Sequence, residues 1–390
     1  MSKQRFVPSW LKIWTISFLY LVVLLAWGLL RSAQAQSDRK SEWEKTLVAA
    51  RKEGRVVLNV ARRYDRIFRV FQKKYPKIKV VTIGGRGSQI AERVMAERRA
   101  GKYLSDIYLS GSGTPYRVFY RRRVLDSVKS ALILPEVLDQ SKWWGGKHFY
   151  HDDDNEYILA FNGIPQSYFA YNTNLVNPKE IKSYWDFLNP KWKGKIVSLD
   201  PTMGGAVSGV LTFIYRNPKL GLDFLRRFLS EMDITPTRDG RQLVNWLAVG
   251  KYPISAMAPP DRVGIYDAQK QGLPVNIFDS RNFKEGIPLS TSSGNMALFN
   301  KAPNPNAAKV AINWLLSREG QMVYQKVNQD KNSLRIDIPK DDVLPHVRRE
   351  KGVEYQILAG PGLKELGPVL AVIREVWKKR RRARKGKKQS

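Results

Sequence analysis

Three short apolar runs, "RVVLNV" (55–60), "KIKVVTI" (77–83) and "DIYLS" (106–110), are separated by stretches with helical periodicity, and this alternation constrains the fold most. Trp43, Leu47 and Ala50 share a face of a helix opened by Ser41 and Glu44 in a capping-box pattern and ended by Gly54. Ile67, Phe68 and Phe71 define a second helix, stopped before Pro76, and "QIAERVMAERRA" a third, closed by Gly101. Strands joined through helices at this spacing pair side by side in a mostly parallel sheet, giving an α/β fold. Such sheets bind ligands beyond the carboxyl ends of their strands. There the chain carries "ARRYD", "GGRGS" and "SGSGT". Glycine lets the backbone approach a ligand, and the helix start that follows supplies free N–H groups. Arg62, Arg63 and Arg86 are the candidate charges, with Ser88, Ser110 and Ser112 as hydrogen-bond donors.

The pattern resumes after residue 180. Ser183 and Asp186 start one or two helical turns, Lys193-Gly194-Lys195 turns into the strand "IVSL", and "DPTMGG" leads into the helix "AVSGVLTFIY". Thr202, Gly204 and Gly205 therefore lie at another strand end. Trp185 and Trp192 are expected to cover the edge of that strand. Helices "GLDFLRRFLSEM" and "GRQLVNWLAVG", the strand "YPISAMA", the loop "PPDRV" with Arg262, and the segments "LPVNIF" and "GNMALFN" follow. Residues 306–327 read as one long amphipathic helix with a possible break at Gly320, and no internal repeat is present.

The N-terminus combines Lys3, Arg5 and Lys12 with an uncharged run from Thr15 to Leu30 and "SAQAQS". This is a secretory signal with cleavage after Ala35; the alternative is an uncleaved anchor. With no cysteine there is no disulfide, thiolate site or lipid-modified cysteine, so the mature chain is expected free in the periplasm. Residues 378–388, "KKRRRARKGKK", carry nine positive charges. Without these and the four of the signal, the formal +32 still leaves +19 on the body. That balance points to an anionic ligand or surface. The tail 378–390 reads as a solvated, disordered segment able to touch anionic lipid weakly, after a docked helix containing Leu363, Leu366, Leu370, Ile373 and Trp377. Nucleic acid fits a secreted chain poorly.

"KHFYHDDDNEY" (147–157) gathers His148, His151, Asp152, Asp153, Asp154 and Glu156, yet side chains on an extended segment alternate faces. A polar hairpin turn accounts for it more simply than a metal site. Three histidines, no cysteine and no G-x-S-x-G, H-E-x-x-H or phosphate-loop lysine leave little for catalysis. Neither an enzyme nor a cofactor is expected.

"EWEKTLVAARKEGRVVLNV", "AERVMAERRAGKYLSDIYLSGSG", "YFAYNTNLV", "WDFLNPKWKGKIVSLDP" and "APNPNAAKVAINWLLSREGQMVYQK" together resemble the extracellular solute-binding proteins of ABC transporters. The similar branch holds the ferric-ion-binding proteins and their phosphonate- and sugar-phosphate-binding relatives. The resemblance covers about residues 41–340. It implies a two-lobed type II periplasmic binding fold, with crossings near 155–165 and 284–294. Lobe one would be 41–158 plus 290–377 and lobe two 159–289. It also implies a monomer that traps solute in the cleft, and an ABC permease in the inner membrane as partner. The ferric branch grips iron with adjacent tyrosines after a segment matched here by "VGKYPISAMAPPDRVGIY", where "PPDRV" stands instead and Tyr252 and Tyr266 are apart. Two phenolates suit a hard trivalent ion and an Asp-Arg step does not. The expected ligand is a small anion, a phosphate ester, phosphonate or carboxylate, held by the arginines named above and by backbone at Gly204 and Gly205. The alternatives are a ferric-ion binder using Tyr168 and Tyr171, an enzyme on the same fold, and a binder of anionic polymers.

Overall fold

The computed structural model describes residues 34, 37–61, 63–203, 207–360 and 366–386, with backbone alone for Asp261, Arg262 and 380–386. The expected signal segment falls almost wholly outside these residues, as do Leu363 and residues 387–390. Among the described residues no helix is long and apolar enough to cross a membrane.

The chain enters through a helix over residues 37–53, which starts upstream of Ser41 because nothing between 37 and 41 breaks the turn. Gly54 ends it at φ +72, a left-handed conformation that favours glycine. Strands β1 (Arg55–Val60), β2 (Lys79–Gly84) and β3 (Ile107–Ser110) follow, parallel to one another, with helices Tyr64–Lys74 and Gly87–Arg99 between them. A π-helical turn at Pro115–Tyr120 occupies the place of the next expected helix. Short strands β4 (Leu125–Asp126), β5 (Phe149–Tyr150) and β6 (Ile158–Ala160) come next, the last two paired as an antiparallel hairpin around residues 151–157.

The chain then leaves this sheet through β7 (Ile164–Pro165). It builds a second sheet from β8 (Ala170–Asn172), β9 (Ile196–Leu199), β10 (Thr235–Thr237), β11 (Ile254–Ala256) and β12 (Val275–Ile277), in the order β10-β9-β11-β8-β12. It returns through β13 (Ile287–Ser290) into β14 (Asn295–Phe299), which completes the first sheet in the order β2-β1-β3-β14-β6-β5 with β4 also paired to β14. A late strand, β15 (Tyr355–Ile357), joins β13 and β7 in a three-stranded linking sheet. Each large sheet thus has a parallel core (β1, β2, β3 and β9, β10, β11) extended by antiparallel strands that enter or leave the crossings. The apolar side chains gather into separate cores, one on the second sheet and two on the faces of the first, so the molecule has two lobes.

Ser183 and Asp186 form the expected capping box, and Gly194 takes φ 73 at the turn into β9. Trp192 is buried in the second lobe's core, whereas Trp185 leans edge-on against Phe224 and donates to the Lys219 carbonyl, so it covers a helix and not the strand. Residues 259–263 form a helical turn, Pro260–Val263, in place of the expected loop; the proline at its first position already has a helical φ. The long helix over 306–327 is two helices, Pro305–Leu316 and Arg318–Val327. The break falls at Ser317, whose Oγ accepts the Gly320 N–H. Gly320 is needed for the sharp bend, since a Cβ there would lie 2.0 Å from the Trp314 carbonyl.

The closing helix, Gly367–Gly386, corrects two expectations. Assigned to lobe one, it buries Val369, Val372, Ile373 and Val376 in the second lobe's core, against helix Gly221–Glu231. Each such side chain contributes about 1.5–3 kcal/mol on full burial. Expected to dissolve at 378, it stays helical through Gly386, because Lys, Arg and Ala are good helix formers and no proline interrupts them.

Candidate functional site

The carboxyl ends of β1 and β2 open on a cleft of about 510 Å3 lined by Ala61, Arg63, Asp65, Gly84, Gly85, Arg86 and Gln89, among others. The Ala61 N–H donates to the Leu109 carbonyl at 2.9 Å, which holds the end of β1 against β3. Arg63 then adopts φ 76, an uncommon left-handed conformation for a residue with a Cβ, and turns the chain into helix Tyr64–Lys74. The Tyr64 hydroxyl ties that helix start to the Ser293 carbonyl at 2.9 Å. Across the cleft Arg86 precedes helix Gly87–Arg99, and the Gln89 side chain accepts from its N–H at 3.0 Å. A Cβ at Gly87 would come within 2.3 Å of Thr114 Oγ1, so glycine is what lets this helix start approach the loop after β3.

Beside the cleft, the Ser110 carbonyl accepts from Asn295 Nδ2 at 3.0 Å, as does the Ser292 carbonyl. Asn295 Oδ1 lies 2.9 Å from His151 Nε2, which is 3.2 Å from Thr291 Oγ1. His151 is fully buried and braces the loops from beneath, a role that its place in an acidic cluster concealed. The other members of that cluster disperse. Asp152 accepts three N–H groups of the turn, from Glu156, Tyr157 and Ile158, while Asp153 and Asp154 accept the hydroxyls of Tyr116 and Tyr120. No group of three or more metal-ligating side chains is gathered among the described residues.

Of the candidate residues, Arg63 and Arg86 share the cleft, and Ser88 is exposed on the first turn after Arg86. Ser110 and Ser112 sit at the neighbouring strand end, Ser112 buried with its carbonyl accepting the Tyr116 N–H. Thr202 and Arg262 follow β9 and β11, adjacent parallel strands of the second sheet. Thr202 Oγ1 already donates to Asp200 at 2.7 Å. The Arg262 side chain lies outside the described residues, as do Arg62, Gly204 and Gly205.

A residue not anticipated from the sequence is Asp330, whose carboxylate meets Arg63 at 3.2 Å. Burial opposes its charge, but Lys331 and Arg63 hold its carboxyl below the usual range. It belongs to a segment, residues 328–350, that runs between the lobes. Arg335, itself 1% exposed, pairs with Asp337 at 2.7 Å and Glu136 at 3.3 Å on the first lobe's side. Arg349 donates to the Gly163 carbonyl at the first crossing, at 2.6 Å. His346 packs on Tyr266 with the rings tilted by 35°, and Glu350 pairs with Arg281, both partners on the second lobe's side.

Residues 58–322 match the family model of the bacterial extracellular solute-binding proteins. No curated protein matches the chain significantly. Solved structures with the same fold include the Trichodesmium protein IdiA (FutA) in complex with iron and citrate, 19% identical, covering 84% of this chain and 99% of that one at a TM-score of 0.62. Iron-bound HitA from Pseudomonas aeruginosa is 18% identical over 83% and 99%, with a TM-score of 0.57. The periplasmic binding protein AfuA from Actinobacillus pleuropneumoniae, with fructose-6-phosphate bound, is 18% identical over 78% and 91%, with a TM-score of 0.51. The two-lobed type II periplasmic binding fold is thereby established.

Proposed function

We propose that this chain, which belongs to the bacterial extracellular solute-binding proteins and so serves as a solute-binding component of ABC importers, captures a small anion, a phosphate ester, phosphonate or carboxylate. The observation that carries this reading is the cleft at the ends of β1 and β2, lined by Arg63, Arg86 and the Gly84-Gly85 turn; the solute would compete with Asp330 for Arg63. Guanidinium groups bind oxyanions through paired hydrogen bonds, and the helix start after Arg86 adds positive partial charge. Arg262, Thr202, Gly204 and Gly205 would complete the grip from the second lobe, with residues 41–158 and those from 290 onward as the first lobe and 159–289 plus the closing helix as the second. The solute bridges the lobes and favours the closed form through its greater affinity for it. The closed monomer docks on its permease, and no bond is made or broken. Export through the N-terminal signal places it in the periplasm. The cations of 378–388 add weak contact with anionic lipid, about 1 kcal/mol each near the surface.

A ferric reading has one observation in its favour: relatives in fold hold iron, one of them with citrate. The tyrosines it would use are placed against it. Tyr168 is 2% exposed, with its hydroxyl packed on Gly209, and burial raises the Tyr171 phenol above its ordinary range. A thermal-shift panel of phosphate esters, phosphonates, carboxylates and ferric ion separates the readings. An anion at a hundredfold excess over its Kd stabilises by about 2.7 kcal/mol. That shift is expected for one of the anions and lost in Arg63→Ala/Arg86→Ala. Stabilisation by ferric ion alone, with a visible charge-transfer band, overturns the anion reading.

A further inference from the structure

A second cavity, about 760 Å3, shares no lining residue with the cleft between Arg63 and Arg86 and is larger; Phe278 and Asp279, just past the carboxyl end of β12, stand on its wall. Its walls are aromatic on two sides. Tyr171 of β8 packs on Phe278 with ring centroids 4.6 Å apart, and Tyr266 packs on His346 at 4.5 Å. Gln269 Nε2 donates to Asn276 Oδ1 at 2.8 Å, and both residues line the cavity. Lys179 and Lys182 stand exposed at the rim, and neither has an ion-pair partner among the described residues. Arg281, also on the wall, is already held by Asp279 and Glu350.

We infer that this cavity is a second small-molecule site, taking an aromatic anion of one or two rings, and that its occupancy is coupled to the hinge between the lobes. Flat aromatic walls favour a ring, in offset or edge-on packing. Free ammonium groups at the mouth favour a carboxylate or phosphate on that ring. The volume falls within the range of about 300–1,000 Å3 usual for small-molecule sites and exceeds what a bare inorganic anion needs. The coupling comes from who builds the walls. Pro165 belongs to β7 and Ile287 to β13, the two linking strands. His346 belongs to segment 328–350, which Arg335 fastens to the first lobe. The remaining walls come from the second lobe. A change in lobe angle therefore changes the spacing of the walls, and an occupant binds one angle better than another. By reciprocity it shifts whatever equilibrium the cleft ligand shifts. The site stands apart from the anion proposed for the cleft and does not depend on it.

The test is isothermal titration of the full chain with benzoate, 4-hydroxybenzoate and phenyl phosphate, repeated on Lys179→Glu/Lys182→Glu, Tyr266→Ala and Arg63→Ala/Arg86→Ala, each checked for folding by circular dichroism. At least one probe is expected to bind the native chain. Its affinity should fall about tenfold or more in the lysine double variant, fall also in Tyr266→Ala, and hold in the arginine double variant. No binding of any probe at millimolar concentration overturns the site. So does binding that survives the lysine changes, whether or not the arginine changes abolish it. Small-angle scattering reads the coupling: the radius of gyration should change on saturation, and an unchanged value removes the link to the hinge.

Discussion

The second lobe's core is buried and the segment 328–350 only partly so, and the two are held by opposite means. In the core, Phe169 stacks on Phe187 at 4.3 Å, Phe224 stacks on Phe228 at 5.7 Å, and Tyr184 sits among Phe169, Phe213, Phe224 and Phe283. Aromatic packing of this kind is strong and needs no hydrogen-bond partner. Segment 328–350 has little regular structure and is fastened by directed hydrogen bonds from basic side chains, one buried and two half-buried. Arg335 reaches Asp337, Glu136 and the Leu316 carbonyl. Lys340 Nζ donates to Gln325 Oε1 and to the carbonyls of Ser333 and Arg335. Arg349 donates to the carbonyls of Gly163 and Ser333. Each of these bonds has a direction, and an unpaired charge in the same place would be costly. Apolar packing gives a lobe its stability; directed polar fastening fixes where a chain lies between two lobes.

The sharpest way to break this contrast is Arg335→Met. It keeps most of the side-chain volume but strands Asp337, which pairs with the guanidinium through two bonds of 2.8 and 2.7 Å. Removing one partner of a buried pair costs about 3–5 kcal/mol. Urea unfolding should show that loss, with Asp337→Asn in the same background recovering part of it. A change below about 1 kcal/mol would mean that the segment is held by packing after all.

Lys340 sharpens the contrast through pH. Burial, and then the nearby Arg349, push its ammonium down to about 6. In the unfolded chain it keeps its proton up to its ordinary value of 10.5. Between those limits the unfolded chain binds the extra proton, so stability rises with pH from about 6 toward 10.5, at a slope of at most about 1.4 kcal/mol per unit. Below 6 both states are protonated and this contribution is flat. Lys340→Met should remove that slope from a pH series of unfolding midpoints. An unchanged series would assign the proton elsewhere.

Local patterns in the sequence reveal the lobes better than what joins them. β1 falls on the expected residues because glycine bounds a run of valine and leucine, and helix Gly221–Glu231 follows its apolar period. The strand-end rule places Arg63 and Arg86 on one cleft. Asp330 was beyond such reading, since it meets Arg63 across 267 residues and no local spacing marks it. His151 was hidden for the converse reason: its neighbours Asp153 and Asp154 turn outward to tyrosines while it turns inward to Asn295. The break at Ser317 escaped because Gly320, the visible signal, acts through the Trp314 carbonyl three residues before the break. The closing helix shows the limit most plainly. Its apolar period is legible, but periodicity does not say which lobe receives it.

That helix also supplies the smallest expected effect. Arg226 pairs with Glu375 at 2.6 Å, joining helix Gly221–Glu231 to the closing helix, with both side chains more than two-fifths exposed. Exposed pairs contribute about 0–1 kcal/mol, because water screens them and two long side chains lose freedom. Val369, Val372, Ile373 and Val376 lie beneath, each almost fully buried. Arg226→Gln should therefore lower stability by no more than about 1 kcal/mol and leave the helix docked, as protection of residues 367–377 from limited proteolysis would show. Val372→Asp should release it. If instead Arg226→Gln frees the helix, a surface ion pair governs its docking, and the division between apolar packing within a lobe and polar fastening between lobes no longer holds.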